Sequence, residues 1–425
     1  MYTHPRDEIL ATIERIYRNR MTTTSGGNLS IREENGDIWI TPARIDKGSL
    51  RREDIVLVRA DGEVEGLHPP SSELPFHREI YANRPDVRGI VHAHPVALVA
   101  FSVVGKVPDT HLFHQARQVC GEAGFAPYQL PGSLELGRNV AQTFGKGFHC
   151  VILENHGVVS VGASLPEAFH RFETLEFTAK TIIKASHLGA VRYLSDEEIA
   201  QPRQRETMGI LEEPHTPSSA ELELRRKMCE FIQRAYRQRL FISTQGSFSA
   251  RLADGGGFLI TPYRVDRGMI AASELVLVRD GRAEAGKGAS RAAGIHEAIY
   301  RRHPHIGAII NAYPVNATAF SVTGVELDSR TIPESYIVLR RVTRLRYGLQ
   351  FQDEHALAEA FSPEQPVALL DNDGVLVTGR DVLDAFDRLE VLESTAEALI
   401  NSRPLGELAA MPDAVVEELE RVFLK

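Results

Sequence analysis

Three histidines and one glutamate in this chain have the types and spacing that metal-assisted chemistry needs. His92 and His94 stand one residue apart in "IVHAHPVALVAFSVVG", residues 90–105. On a strand, residues two apart share a face, so the two imidazoles project side by side. His156 sits in "LENHGV", where a strand ends and a side chain can reach a neighbouring strand. Three neutral imidazoles leave one or two coordination positions open, the pattern of a catalytic zinc rather than a closed structural one. A metal that polarises a carbonyl also needs a group to move a proton, and Glu73 in "HPPSSELPFHREIY" is the candidate.

The chain carries its own control. From residue 309 it reads "IINAYPVNATAFSVTG", a second copy of the first stretch. There His92 is matched by Asn311, His94 by Tyr313, His156 by Asp373 and Glu73 by Ala292, while the apolar frame is kept. Histidines needed for packing would not all disappear while their packing neighbours stay. The four positions behave as one functional unit, intact in the first copy and lost in the second.

A second set of residues suits an anion. "SGGNLS" offers Gly26 and Gly27, which can turn successive backbone N–H groups inward, and Asn28 adds a side-chain amide. Ser71 and Ser72 precede Glu73 near a helix start, where hydroxyl and N–H groups also favour an anion. Arg44 and Lys47 in "TPARIDKG" could supply positive charge. Arg264 and Arg267 hold the matching places in the second copy, so a structural role for this pair stands equally open.

These residues must be positioned by a duplicated domain. Each half opens with a helix-period segment, "DEILATIERIYRNRM" with Asp7 as the expected N-cap and "SSAELELRRKMCEFIQRAYRQRL" with Ser218 or Ser219. Short strands, a hairpin signal in "ADGE" or "RDGR", a helix and the His-bearing strand, read in the first copy as the run 90–105, follow in both. Late in each half "CVILENHGVVSVG" and "VALLDNDGVLVTG" read as two strands and a turn, each leading into a long helix. The shift from His92 to Asn311 is 219 residues, one domain length. The charged, proline-rich "LSDEEIAQPRQRETMGILEEPHTPSS" reads as the linker, giving domains 1–210 and 211–425. Strands and helices do not alternate regularly, so a sandwich around a mostly antiparallel sheet is expected rather than a doubly wound parallel fold.

Composition narrows the classes further. At 425 residues the chain exceeds a single hydrophobic core, and 43% hydrophobic with 25% charged residues is ordinary for a globular protein. No apolar run suits a membrane span and no export signal opens the chain, so no membrane partner and a cytoplasmic location are expected. The scattered Cys120, Cys150 and Cys229 read as free thiols. A net charge of -9 gives no footprint for nucleic acid, which points to a small-molecule substrate.

With "SGGNLS", "ITP", "SSE", "HAHP" and "ENHG" in this order, the first half resembles the class II aldolase/adducin family along its length. The resemblance implies two tandem α/β/α domains, the second degenerate and expected to be structural. It implies a divalent metal on His92, His94 and His156, usually zinc, with manganese, cobalt or magnesium as alternatives. It implies Glu73 as catalytic acid/base, leaning toward the aldolase and decarboxylase branches, and phosphate binding by Gly27, Asn28, Ser71 and Ser72. Where the family often has "TPTG" or "TPSG", this chain has Ala43 and Arg44, so a carboxylate or a differently placed phosphate is an alternative ligand. The expected activity is retro-aldol cleavage of a small sugar phosphate or hydroxy-keto acid through a metal-stabilised enediolate. Decarboxylation of a small hydroxy or keto acid on the same site is the alternative, and a non-catalytic adducin-like binding module the second. Family enzymes form four-fold tetramers with sites at subunit junctions. Two tandem chains then imply a homodimer with four aldolase-like domains, with Tyr263 or Tyr336 as candidates to complete the site.

Overall fold

The computed structural model describes residues 4–201, 208–211 and 215–424. The chain divides into two compact units, Met1–Lys180 and Thr181–Lys425. In chain order the first unit contains α1 (Pro5–Arg18), β1 (Asn28–Arg32), β2 (Ile38–Ile40), β3 (Val56–Val58), β4 (Val64–Glu65), α2 (Leu74–Asn83) and β5 (Gly89–Ala93). It continues with α3 (Val96–Val103), α4 (His114–Cys120), β6 (Ala123–Ala126), α5 (Leu134–Gly145), β7 (Cys150–Leu153), β8 (Gly157–Gly162) and most of α6 (Leu165–Ser186), whose last six residues lie beyond Lys180.

The eight strands form one sheet in the order β4-β3-β2-β1-β5-β8-β7-β6, antiparallel throughout except for the β6–β7 edge pair. Alternation along each strand sends one set of side chains to each face. Ile38, Ile40, Val56, Val58, Ile90, Val159 and Val161 meet Phe76, Ile80 and Tyr81 of α2 and Leu136, Val140 and Phe144 of α5 in one core. Helix α1 contacts β1 and β2 through Ile9, Ile13 and Ile16, none of them part of that core, and α3 contacts β7 and β8.

Two local readings of the sequence are corrected. Helix α1 begins at Pro5 with His4 as its cap, not at Asp7: Pro5 has the φ that a first helical turn requires, and His4 accepts from Arg6 N–H at 3.1 Å, which leaves Asp7 inside the first turn. The apolar run at 90–105 is a strand only as far as Ala93. Pro95 then caps α3, and the segment that follows is helical and half-exposed, with Val96 and Val103 facing out. Proline ends the ladder because it has no N–H to donate and its φ suits a helix start.

The second unit repeats the plan with α7 (Asp196–Ala200), β9 (Gly209–Ile210), α8 (Ser219–Arg237), β10 (Ser247–Arg251), β11 (Phe258–Ile260), β12 (Val276–Arg279), β13 (Arg282–Ala283) and α9 (Ala293–Arg302). Then come β14 (Ala308–Ala312), α10 (Val315–Ser321), α11 (Pro333–Leu339), β15 (Val342–Leu345), α12 (Leu349–Gln352), α13 (Glu354–Glu359), β16 (Val367–Leu370), β17 (Gly374–Gly379), α14 (Val382–Ser402) and α15 (Asp413–Phe423). Ser218 caps α8, accepting from Glu221 N–H. Its sheet runs β15-β16-β17-β14-β10-β11-β12-β13-β9, with parallel pairs only at the two ends. The edge strand β9 lies within the expected linker, which otherwise falls partly outside the described residues. Among the described residues no helix is long and apolar enough to cross a membrane, and Cys120, Cys150 and Cys229 are free.

Candidate metal centre

Strands β1, β5 and β8 are neighbours, and their register aligns Asn28, His92 and Val159 in one row and Ser30, Ile90 and Val161 in the next. Both rows face α2. His92 is fully buried, with its ring edge-on to Phe76 at 5.4 Å between centroids. Its Nδ1 lies 3.0 Å from Val158 O, so it donates there and leaves the Nε2 lone pair facing outward. His94 follows the end of β5, and Gly157 makes room for it: a Cβ there would come within 2.7 Å of the His94 ring. His156 ends the β7–β8 turn, its N–H donating to Leu153 O, after Asn155 takes the left-handed φ of +53° that asparagine tolerates.

The three rings converge. One ligand nitrogen from each lies within 4.8 Å of the others, and the Nε2 atoms of His92 and His94 are 3.1 Å apart. Two nitrogens at zinc-ligand distance on a tetrahedral ion are about 3.3 Å apart, so the donor set fits a divalent cation. Glu73 caps α2 and reaches the same nitrogens, with Oε2 3.1 Å from His92 Nε2 and Oε1 3.4 Å from His156 Nε2. Asn28 Nδ2 donates to Oε2 at 2.7 Å, whereas the buried Oε1 has no hydrogen-bond partner.

Burial alone would raise the Glu73 carboxyl. The charge and hydrogen bond of His92, then His156 and Asn28, outweigh it and hold the group well below the usual carboxylate range. Burial and the neighbouring His92 push His94 down to about 3 and His156 to about 4. At neutral pH His94 and His156 are neutral imidazoles beside an ionised Glu73 carboxylate, the protonation state that metal binding requires of them.

Three loops border the centre, tied by backbone bonds from Lys47 N to Thr24 O, Ala43 N to Pro69 O and Ser71 N to Thr41 O. Gly27 has a φ of +72°, and a Cβ on it would lie 2.8 Å from His92 O. Only glycine fits there. Thr22 Oγ1 is buried without a hydrogen-bond partner, 3.1 Å from the Cβ positions of both Gly26 and Gly27. Ser71 is buried, its Oγ accepting from Glu73 N–H, and Ser72 is exposed. Arg44 is exposed at a φ of +58°. Lys47 is buried, and its ammonium donates to Pro42 O at 2.8 Å and Ile45 O at 3.2 Å. Desolvation pushes it down to about 8.

The profile described as Class II Aldolase and Adducin N-terminal domain matches residues 7–183 and again 226–400. The chain belongs to the class II aldolase and adducin family. An L-fuculose phosphate aldolase of Methanococcus maripaludis is 34% identical over 174 residues, 41% of this chain and 93% of the relative. A 3-oxo-tetronate 4-phosphate decarboxylase of Escherichia coli is 30% identical over 202 residues, 47% of this chain and 94% of the relative. A solved L-fuculose 1-phosphate aldolase structure is 30% identical, covering 47% of this chain and 94% of its own, with a TM-score of 0.43.

Two tandem copies of this family's domain make the second unit a comparison within one molecule. Asn311 donates from Nδ2 to Val375 O at 3.0 Å, keeping the bond that His92 makes to Val158 O. Tyr313 OH donates to Asp373 Oδ1 at 3.4 Å, and Gln350 Nε2 to Asp373 Oδ2 at 2.9 Å. The three positions that match the histidines have become hydrogen-bonded packing. Arg267, matching Lys47, is likewise buried and donates to Gly246, Pro262 and Val265 carbonyls. Tyr263 lies against Arg264 and Arg291, and Tyr336 OH donates to Glu420 at 2.5 Å.

The sequence reading missed His77, Ser30, Tyr81 and Thr22. His77 Nε2 lies 2.5 Å from Asn28 Oδ1, and Ser30 Oγ joins His77 Nδ1 at 2.7 Å and Tyr81 OH at 2.8 Å. A signal existed, since "HREIY" in the first copy and "HEAIY" in the second both keep the histidine and tyrosine.

Proposed function

We propose that the first unit of this class II aldolase family member is a divalent-metal lyase that breaks a C–C bond next to a carbonyl. The observation that carries the reading is the convergence of three imidazole Nε2 atoms on a buried carboxylate with one unpartnered oxygen. His92, His94 and His156 would hold the ion, with zinc first among the candidates. When bound, it supplies Lewis-acid polarisation of the substrate's adjacent oxygens. In the cleavage direction the hydroxyl on the departing carbon gives its proton to the Glu73 carboxylate and becomes an aldehyde carbonyl, while the electron pair of the breaking C–C bond passes to the substrate carbonyl, giving an enediolate. Glu73 then exchanges a proton with the carbon, as base in one direction and, once protonated, as acid in the other.

A phosphate on the substrate is favoured over a bare carboxylate. Both named relatives carry a phosphate in their substrates' names. Gly27 N–H, the unpartnered Thr22 hydroxyl, Ser71 and Ser72 offer neutral donors beside the centre, and Arg44 adds positive charge at the surface. Lys47 serves that site indirectly by pinning its loop through two carbonyls. Decarboxylation is the second reading, supported by similarity to the Escherichia coli decarboxylase at nearly the same identity. The second unit, with an ordinary packed network in place of the ligands, is structural.

The test is metal content per chain followed by a substrate pair. The zinc-loaded protein should release an aldehyde and a triose phosphate from L-fuculose 1-phosphate, or carbon dioxide from 3-oxo-tetronate 4-phosphate. A chain that binds no metal after reconstitution, or a loaded chain inert toward phosphorylated keto sugars and keto acids, would sink the reading.

A further inference from the structure

A line of buried polar groups runs from α2 to the catalytic glutamate. Tyr81 OH lies 2.8 Å from Ser30 Oγ, and Ser30 Oγ lies 2.7 Å from His77 Nδ1. His77 Nε2 lies 2.5 Å from Asn28 Oδ1, and Asn28 Nδ2 lies 2.7 Å from Glu73 Oε2. The direction of each bond follows from the last. An ionised carboxylate only accepts, so Asn28 turns its amide N–H toward Glu73 and its carbonyl toward His77. His77 must then carry its proton on Nε2 and accept at Nδ1, which makes Ser30 the donor to the ring. An amide in mid-line does not hand protons onward, so the line orients a group rather than relaying charge.

The second unit holds the same line with its end removed. Ser249 Oγ lies 2.7 Å from His296 Nδ1 and 2.8 Å from Tyr300 OH, the spacing of the first unit. Ser247 stands where Asn28 does, and its hydroxyl pairs with Ser290 instead. Ala292 stands where Glu73 does, and His296 Nε2 is buried without a hydrogen-bond partner. The Nδ1 side of this histidine is therefore a packing feature that both units keep. The Nε2 side has a partner only where there is a glutamate to hold.

We propose that Asn28 and His77 are positioning residues for Glu73: His77 fixes the Asn28 amide, and that amide fixes Glu73 Oε2, leaving Oε1 free to exchange the proton with substrate. This rests on the lyase reading above. It assigns the Asn28 side chain to the acid/base residue and leaves the substrate's phosphate to the glycine loop, Thr22, Ser71 and Ser72. The geometry agrees, since both polar atoms of the Asn28 side chain already have partners at 2.5 and 2.7 Å.

The experiment uses the full zinc-loaded chain and the variants Asn28→Ser, His77→Phe and the double variant. Asn28→Ser introduces the residue that the second unit carries at the same place in its sheet, so the strand tolerates it. Each single variant should lower kcat about 10- to 100-fold, the usual effect of removing a group that orients a ligand. KM, metal content and the dissociation constant for inorganic phosphate should stay within about twofold. The double variant should be no slower than the worse single, because the two act in one line. A KM and phosphate dissociation constant raised tenfold with kcat retained would make Asn28 a phosphate contact and overturn the proposal, as would additive effects in the double variant. A readout independent of turnover is the ring 15N spectrum, with His77 assigned by its loss in His77→Phe. The Nε2–H tautomer supports the line; the Nδ1–H tautomer refutes it. If the wild type turned over no substrate, the lyase reading would fail by itself, and the tautomer and phosphate binding would still decide where Asn28 points.

Discussion

Asn28 stands directly opposite His92 in the pairing of β1 with β5, so strand register sets a proposed metal ligand beside the side chain that hydrogen-bonds the proposed acid/base carboxylate. A slip of β1 by one residue would turn Asn28 away from α2 and send Leu29 to the face that His92 keeps. The register is secured by the core around it, since Ile90 in the next row is buried among Ile80, Tyr81 and Val161.

His92→Asn should abolish metal binding without unfolding the protein. Asn311 holds that place in the second unit and makes the same bond to the next strand. Expected are loss of one equivalent of metal per chain and a fall in lyase activity on the order of 10²- to 10³-fold or more, with thermal stability close to that of the metal-free wild type. Metal analysis and a melting curve on the same sample check both parts. Retained metal would remove His92 from the ligand set.

Gly27→Ala should cost both stability and activity. The added Cβ meets His92 O at 2.8 Å, and alanine resists a φ of +72°. The combined strain is roughly 1–3 kcal/mol. Because the clash falls on His92, a proposed ligand, metal affinity should fall as well, which equilibrium dialysis would read.

Lys47→Arg and Lys47→Met should part company. Arginine satisfies the matching carbonyls in the second unit, donating to Pro262 O and Val265 O. Lys47→Arg is expected within about 1 kcal/mol of wild type, whereas Lys47→Met leaves the buried Pro42 carbonyl and the part-buried Ile45 carbonyl without this donor, at about 1–3 kcal/mol. Urea unfolding decides. Equal midpoints would show that the buried ammonium does not hold this loop.

Acid should destabilise the metal-free protein before the carboxylates protonate. His77 and His296 are wholly buried, and burial pushes each down to about 3. In the unfolded chain each takes up a proton near pH 6.5. Between about 6.5 and 3 the unfolded state therefore binds more protons, so stability is full above that window and is lost as pH falls through it. The slope approaches about 1.4 kcal/mol per pH unit for each histidine. Urea midpoints at pH 7.5, 6.0 and 4.5 should be highest at 7.5; a constant midpoint would contradict neutral burial.

Much of the site was legible because duplication and decay leave marks in one dimension. The joint loss of His92, His94, His156 and Glu73 in the second copy singles them out, and the structure brings all four to one point. The apolar run at 90–105 misled because periodicity alone does not separate a short buried strand from the helix after it, and Pro95 is the residue that divides them. Lys47 shows the opposite limit. Charge beside a glycine loop suggests an anion contact, yet the ammonium turns inward to two carbonyls, a direction set by the local backbone path and not by residue type.

Residue types and their order determined the family, the duplication and which copy keeps the three histidines and the glutamate, because each depends on which groups exist and on spacing along the chain. Which oxygen of Glu73 is held, which way Asn28 turns and which groups His77 bridges were decided only by the tertiary structure. Those answers come from hydrogen bonds between residues 45 and 49 positions apart, whose lengths and directions exist only once strand register and the packing of α2 are set.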